Sequence, residues 1–118
     1  MTAPAAADEL SVTFAALADP TRRAILGRLA AGDATVNQLA EPFPLTQQAV
    51  SKHIKVLEHA GLISRSRVAQ SRPCRLEPAR FEMAADWIGR HRQMWQHRYD
   101  RLDEHLAALT AQREDEAQ

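Results

Sequence analysis

Several things are scarce in this 118-residue chain, and each scarcity excludes something. One cysteine, Cys74, cannot form an intramolecular disulfide, and the cytoplasm is then the default compartment. The four glycines form no phosphate-cradling loop, and neither a zinc-hydrolase motif nor a nucleophile–base pair is present. Ser51 and His53 come nearest to such a pair, but two residues apart on a helix they point in different directions. The chain therefore does not read as an enzyme, and no cofactor is implied. Aromatic residues are only 5% of the total, so a single core is modest and a second apolar surface shared with another subunit would help. No apolar run approaches the roughly 18 residues of a membrane span. Residues 1–7 lack the basic start and long apolar stretch of a secretory signal and read as a frayed tail.

Net charge is also lacking: 15 basic residues balance 15 acidic ones. The balance is uneven along the chain. From Thr46 to Arg75 there are six basic residues and one acid, Glu58, while Asp103 to Gln118 holds five acids and one arginine. Charges interact only within about 8–10 Å at ordinary salt. A basic face on a neutral protein can therefore still attract a polyanion.

What is present centres on residues 46–60. Thr46 is a good N-cap and Gly61 a good helix stop. Val50, Ile54 and Leu57 share one face. The other face carries Gln47, Gln48, Ser51, Lys52 and Lys55, side chains able to reach base edges or phosphates in a DNA major groove. By itself this pattern is better read as an ordinary amphipathic helix with a solvated polar face. The flanks favour DNA. Upstream, Thr35 and Gln38 have capping-box spacing at the start of a short helix, and Pro42 and Pro44 break the chain after it. A short helix, a break and a longer polar-faced helix make a helix-turn-helix. Downstream, residues 62–68 and 72–76 read as two strands of a basic hairpin around Ala69-Gln70-Ser71, which is a wing.

Asp19 and Pro20 read as the N-cap and first residue of an earlier helix, with Ala24, Ile25, Leu26 and Leu29 as its core face and Gly32 as its stop. Arg22 and Arg23 in its first turn oppose the helix dipole, which suggests a phosphate or carboxylate contact or a solvated surface pair. Leu10, Phe14 and Leu17 give the first helix an apolar face. After Glu77-Pro78, a helix over about 79–109 carries an apolar stripe that includes Trp87, Trp95, Tyr99, Leu102 and Leu106. That stripe is too long for so small a domain to cover, and two-fold association would bury it. Residues 110–118 read as a loose acidic tail.

The runs Ala18-Asp19-Pro20-Thr21-Arg22-Arg23-Ala24-Ile25-Leu26, Gln48-Ala49-Val50-Ser51-Lys52-His53-Ile54-Lys55-Val56-Leu57 and Ala60-Gly61-Leu62-Ile63 resemble the ArsR family of bacterial winged-helix repressors. The likeness covers roughly residues 10 to 109. It implies a mainly α fold with a small β-hairpin, a winged helix-turn-helix over 8–109 that dimerises through its terminal helices. It implies a homodimeric repressor on double-stranded DNA, reading a pseudo-palindromic operator through the helix 46–60 and the wing 62–76. Gln47, Gln48, Ser51 and Lys52 would read bases; His53, Lys55, Arg65, Arg67 and Arg72 would hold the backbone. Leu10, Phe14, Trp87, Trp95, Leu102 and Leu106 would form the dimer seam, with a purely intramolecular core role as the competing reading for Trp87, Trp95 and Leu102.

Two departures from the family bear on its signal. Its thiolate sensor has cysteines in the short helix before the recognition helix, where this chain has Thr35-Val36-Asn37-Gln38-Leu39-Ala40. His91, His97 and His105 lie on the last helix but not at the family's ligand spacing; His91 and His105 share a face, which keeps a cross-dimer zinc site open as an alternative. A protein-interaction module on the same scaffold is the other alternative. No residue pattern names an effector.

Overall fold

A computed structural model describes residues 5–67 and 70–117. In chain order the elements are α1 (Ala5–Leu17), α2 (Pro20–Leu29), α3 (Val36–Ala40), α4 (Gln47–His59), β1 (Ile63–Arg65), β2 (Cys74–Leu76) and α5 (Pro78–Glu116). The fold is mainly helical with one antiparallel hairpin, the architecture expected from the sequence. No helix among the described residues is long and apolar enough to cross a membrane.

The local signals act as their chemistry dictates. The Asp19 carboxylate accepts from the Arg22 amide at 3.0 Å and opens α2, with Pro20 at the first position. Thr35 and Gln38 form a full capping box on α3, with bonds of 3.2 and 2.9 Å. The Thr46 hydroxyl accepts from the Ala49 amide at 3.1 Å and opens α4. At the other end of α4, the Gly61 amide donates to Glu58 and the Leu62 amide to Leu57, so two loose carbonyls are satisfied at once. Gly61 sits at φ +76, and a Cβ there would lie 2.9 Å from Arg80 Nε. The positive φ demands glycine, and a larger residue would also have to displace the Arg80 side chain.

Two compact units divide the chain, one up to Ala84 and one from Ala85 on. In the first, Ile25, Leu26 and Leu29 of α2 pack with Leu39, Val50, Ile54, Leu57, Leu62 and Cys74 in one core. Ala24, expected on that core face, is exposed instead, because at about 100° per residue it lies roughly 160° around the helix from Leu26 and roughly 140° from Leu29. The hairpin pairs Ile63 with Leu76, Ser64 with Arg75 and Arg65 with Cys74, and Ala34 bridges to Cys74 from the other side. Ile63 is buried, which places it on the core face of its strand. The strands are shorter than the sequence suggests. Arg72, expected to open the second one, is held at φ +46 in the turn; this left-handed region costs an L-residue about 1–2 kcal/mol. The expected turn residue Ala69, with Val68, lies outside the described residues.

Arg22 and Arg23 have a use that their positions in the chain did not disclose. Arg22 donates from Nε to Ala16 O at 2.7 Å and from Nη2 to Ala15 O at 3.0 Å, and Arg23 donates to Leu17 O at 2.7 Å. Their guanidinium groups therefore close the C-terminal end of α1, where cations are favoured. The cost of two cations near the start of α2 is offset at the end of the preceding helix.

The second unit is the remainder of α5. The helix continues through residues 110–116, where a loose tail is expected from the acidic sequence; alanine, glutamine, arginine and glutamate there are strong helix formers. Residues 92–117 are exposed throughout. Ile88, Trp95, Tyr99, Leu102, Leu106 and Leu109 are between 44% and 57% exposed. From Trp95 on they recur four and three apart, so they form one stripe.

Candidate nucleic-acid interface

The core grips one side of α4. Val50, Ile54 and Leu57 are at most 1% exposed. That fixes the rotation of the helix and turns Gln47, Gln48, Lys52 and Lys55 outward, with Ser51 half-buried between them. These five side chains, which the sequence singled out, line one shallow depression of about 460 Å³. It contains no carboxylate. The first turn of α4 is at its end, so unbonded backbone amides add to its positive potential.

A second depression, about 510 Å³, lies beside the first. Asn37 of α3, Gln47 and Ser51 of α4, and Arg65 and Ser71 of the wing are among the residues that line it. The wing therefore lies close to the start of α4. Arg67 and Arg72 are exposed on the hairpin. Arg65 is half-buried at the hairpin base, opposite Cys74 in the ladder. Burial pushes the Cys74 thiol up, with the nearby Arg65 cation opposing the shift.

His53 departs from its expected place on the DNA-facing side. Its Nδ1 is 3.8 Å from the Asp19 carboxylate and 3.4 Å from Arg22 Nη1. It faces the start of α2 and the arginine that closes α1. The reason is rotation: position 53 is one step short of the buried Ile54, on the flank that meets α2. The Asp19 carboxyl is held below its ordinary value chiefly by its bond from the Arg22 amide, with the His53 and Arg22 charges adding to the effect.

Sequence reasoning passed over Asn37. It is exposed, and its side-chain oxygen accepts from the Gln47 amide nitrogen. The available signal was its place in the first turn of a short helix just ahead of α4, with no side-chain capping or core duty of its own.

Of the residues assigned to a dimer seam, Leu10 and Phe14 are half-buried on α1 within the first unit. In the second unit, Trp95, Leu102 and Leu106 are about half exposed and Trp87 is 37% exposed. Trp87 stacks on His91 with ring centroids 3.9 Å apart, and its carbonyl lies 2.9 Å from His91 Nδ1.

Comparison with known proteins agrees with this geometry. A helix-turn-helix domain family matches residues 17–65. The HTH-type transcriptional regulator Rv2034 of Mycobacterium tuberculosis is 46% identical over 63 residues, which cover 53% of this chain and 59% of the relative. The transcriptional repressor SdpR of Bacillus subtilis is 42% identical over 57 residues, 48% of this chain and 63% of the relative. The matches thus span about three-fifths of these two curated relatives. The crystal structure of an ArsR family transcriptional regulator superposes with a TM-score of 0.70 at 41% identity, covering 75% of this chain and 97% of that one. The elements, their order and the sequence of the helix-turn-helix agree together, and the chain belongs to the ArsR family.

Proposed function

We propose that this protein is a sequence-specific, DNA-binding transcriptional regulator that works as a homodimer, with repression as its mode of action. The observation that carries the reading is the outward face of α4. It gathers Gln47, Gln48, Ser51, Lys52 and Lys55 without an acid, while the opposite face is locked into the core. Glutamine can bond adenine N6 and N7, and serine and lysine reach several base edges, so the face suits major-groove readout. Lys55, Arg65, Arg67 and Arg72 hold phosphates, and the net +5 over residues 46–75 supplies the attraction. His53 leaves this set, since its ring is engaged with Asp19 and Arg22.

The dimer covers the exposed stripe on α5. Water-exposed Trp95, Leu102 and Leu106 gain by burial against the same patch of a second copy, and a two-fold axis does this with one surface. Two α4 helices placed about 34–36 Å apart would enter successive major grooves and read a pseudo-palindromic site. A repressor of this design acts by occluding polymerase, and the name of SdpR supports that sign of regulation. The cytoplasm is the proposed compartment.

A zinc-responsive version, with a site formed across the dimer by the last helix, is the alternative reading; within one chain no group of three or more metal-binding side chains converges among the described residues. Mobility shift of the protein's own upstream region, at two salt concentrations and with zinc or a chelator, tests the whole reading. Specific, salt-sensitive binding indifferent to metal is the expected result. Zinc-abolished binding would restore the metal-sensing alternative, and no specific binding under any condition would favour a protein-interaction module.

A further inference from the structure

We propose that Asn37 is a positioning residue that orients Gln47 for base readout; the inference rests on the DNA-binding reading above and deepens it. The two residues are ten apart in sequence and on different helices. The turn between α3 and α4 brings them together, and Gln47 Nε2 donates to Asn37 Oδ1. Among the described residues the Asn37 side chain makes no other hydrogen bond; only its backbone carbonyl serves the fold, accepting from the Glu41 amide. Thr35 and Gln38 cap α3, Leu39 supplies its buried contact, and Asn37 is exposed.

The chemistry of the bond suits the proposed role. A glutamine amide has two N–H donors and one carbonyl oxygen. Used alone, it can present either end to a base and samples many rotamers. The Asn37 carbonyl engages one N–H and so settles which end of the amide faces α3. One N–H and the oxygen remain, and those are the two groups that the N7 acceptor and N6 donor of adenine require. Binding then no longer bears the full cost of ordering a free side chain. Both residues line the depression shared with Ser51, Arg65 and Ser71, so the pair sits on the face proposed for DNA. The NH2 group of Asn37 stays free to donate to a phosphate, which would lock the pair further once DNA is bound.

The test is selection of duplexes from a randomised library by the wild-type protein, followed by affinity measurements on single-base variants of the selected site. Gln47→Ala identifies the base position that Gln47 reads. Asn37→Ala should reduce discrimination at that same position by roughly threefold to tenfold, and should add nothing to the loss of discrimination in Gln47→Ala. Asn37→Asp keeps an acceptor for the Gln47 N–H. It should retain the base preference while weakening all duplexes alike through charge repulsion. The inference is overturned if Asn37→Ala leaves the preference intact. It is also overturned if Asn37→Ala weakens every duplex equally, with and without Gln47, since that marks a plain phosphate contact. A Gln47→Ala variant with unchanged preference at every position overturns it as well, while leaving readout by other side chains standing. A wild-type protein that selects no sequence overturns the DNA reading itself and this inference with it.

Discussion

Helices α4 and α5 both carry apolar stripes at helical spacing, and the two stripes have opposite fates. On α4, Val50, Ile54 and Leu57 are at most 1% exposed, because α2, α3 and β1 close over them. On α5 beyond Ala85, Trp95, Tyr99 and Leu102 are half exposed or more. Periodicity tells which residues want burial. It does not tell whether the covering surface belongs to the same chain. In the proposed function the same difference divides the labour: the apolar face of α4 fixes the helix so that its polar face meets DNA, and the exposed face of α5 meets a second copy.

Substitution in the two stripes gives the largest contrast. Leu57→Ala should cost about 2–5 kcal/mol of unfolding free energy by leaving a cavity in the core, measured by denaturant titration. Trp95→Ala should leave the fold of the first unit intact and instead shift the protein towards monomer in sedimentation velocity. Equal losses of stability from both would end the distinction.

The polar face of α4 sharpens the comparison from the other side. Gln48→Ala should leave the unfolding midpoint in place yet cost about 1–3 kcal/mol at the cognate DNA site. Fluorescence anisotropy with cognate and scrambled duplexes separates base readout from general attraction, and an equal loss on both would remove Gln48 from the readers. Arg67→Ala should act more weakly and uniformly, lowering affinity for all duplexes and reducing the slope of log affinity against log salt by about one unit.

The smallest effect is set by pH. Bonding to Arg80 holds the Glu9 carboxyl below its ordinary 4.5, and the Arg22 amide holds that of Asp19 below 3.8. Folded values lower than unfolded ones mean that these ties contribute fully above those ordinary values and are lost as pH falls through the folded ones. Both ties lie in the first unit. Acidification below about pH 4 should therefore lower the thermal midpoint of that unit, and Asp19→Asn should blunt the dependence in circular-dichroism melts. An Asp19→Asn protein with an unchanged acid response would show that the carboxylate adds no pH-linked stability.

Much of the candidate site was legible because its signals are local. A cap at Thr46, a stop at Gly61, the capping box of Thr35 and Gln38 and the four- and three-residue spacing of Val50, Ile54 and Leu57 each act within a turn or two of chain. They set the rotation of α4 and hence its outward face. The features that escaped are those settled in space. Arg22 and Arg23 were two cations at an unfavourable helix start until the carbonyls of α1 came within reach. His53 looked like its neighbours Lys52 and Lys55, but its flank of the helix meets Asp19. Asn37 lies ten residues from Gln47, and no periodic pattern links the two. Arg72 occupies a left-handed position without the glycine or asparagine that would announce one.

The most direct measurement of the central claim is sedimentation of the protein with a fluorescent duplex carrying its selected operator, at low and raised salt. The account predicts two chains per duplex, assembled through α5, with affinity that falls steeply as salt increases. One chain per duplex would contradict the two-fold arrangement, and binding indifferent to both salt and sequence would contradict the role assigned to α4.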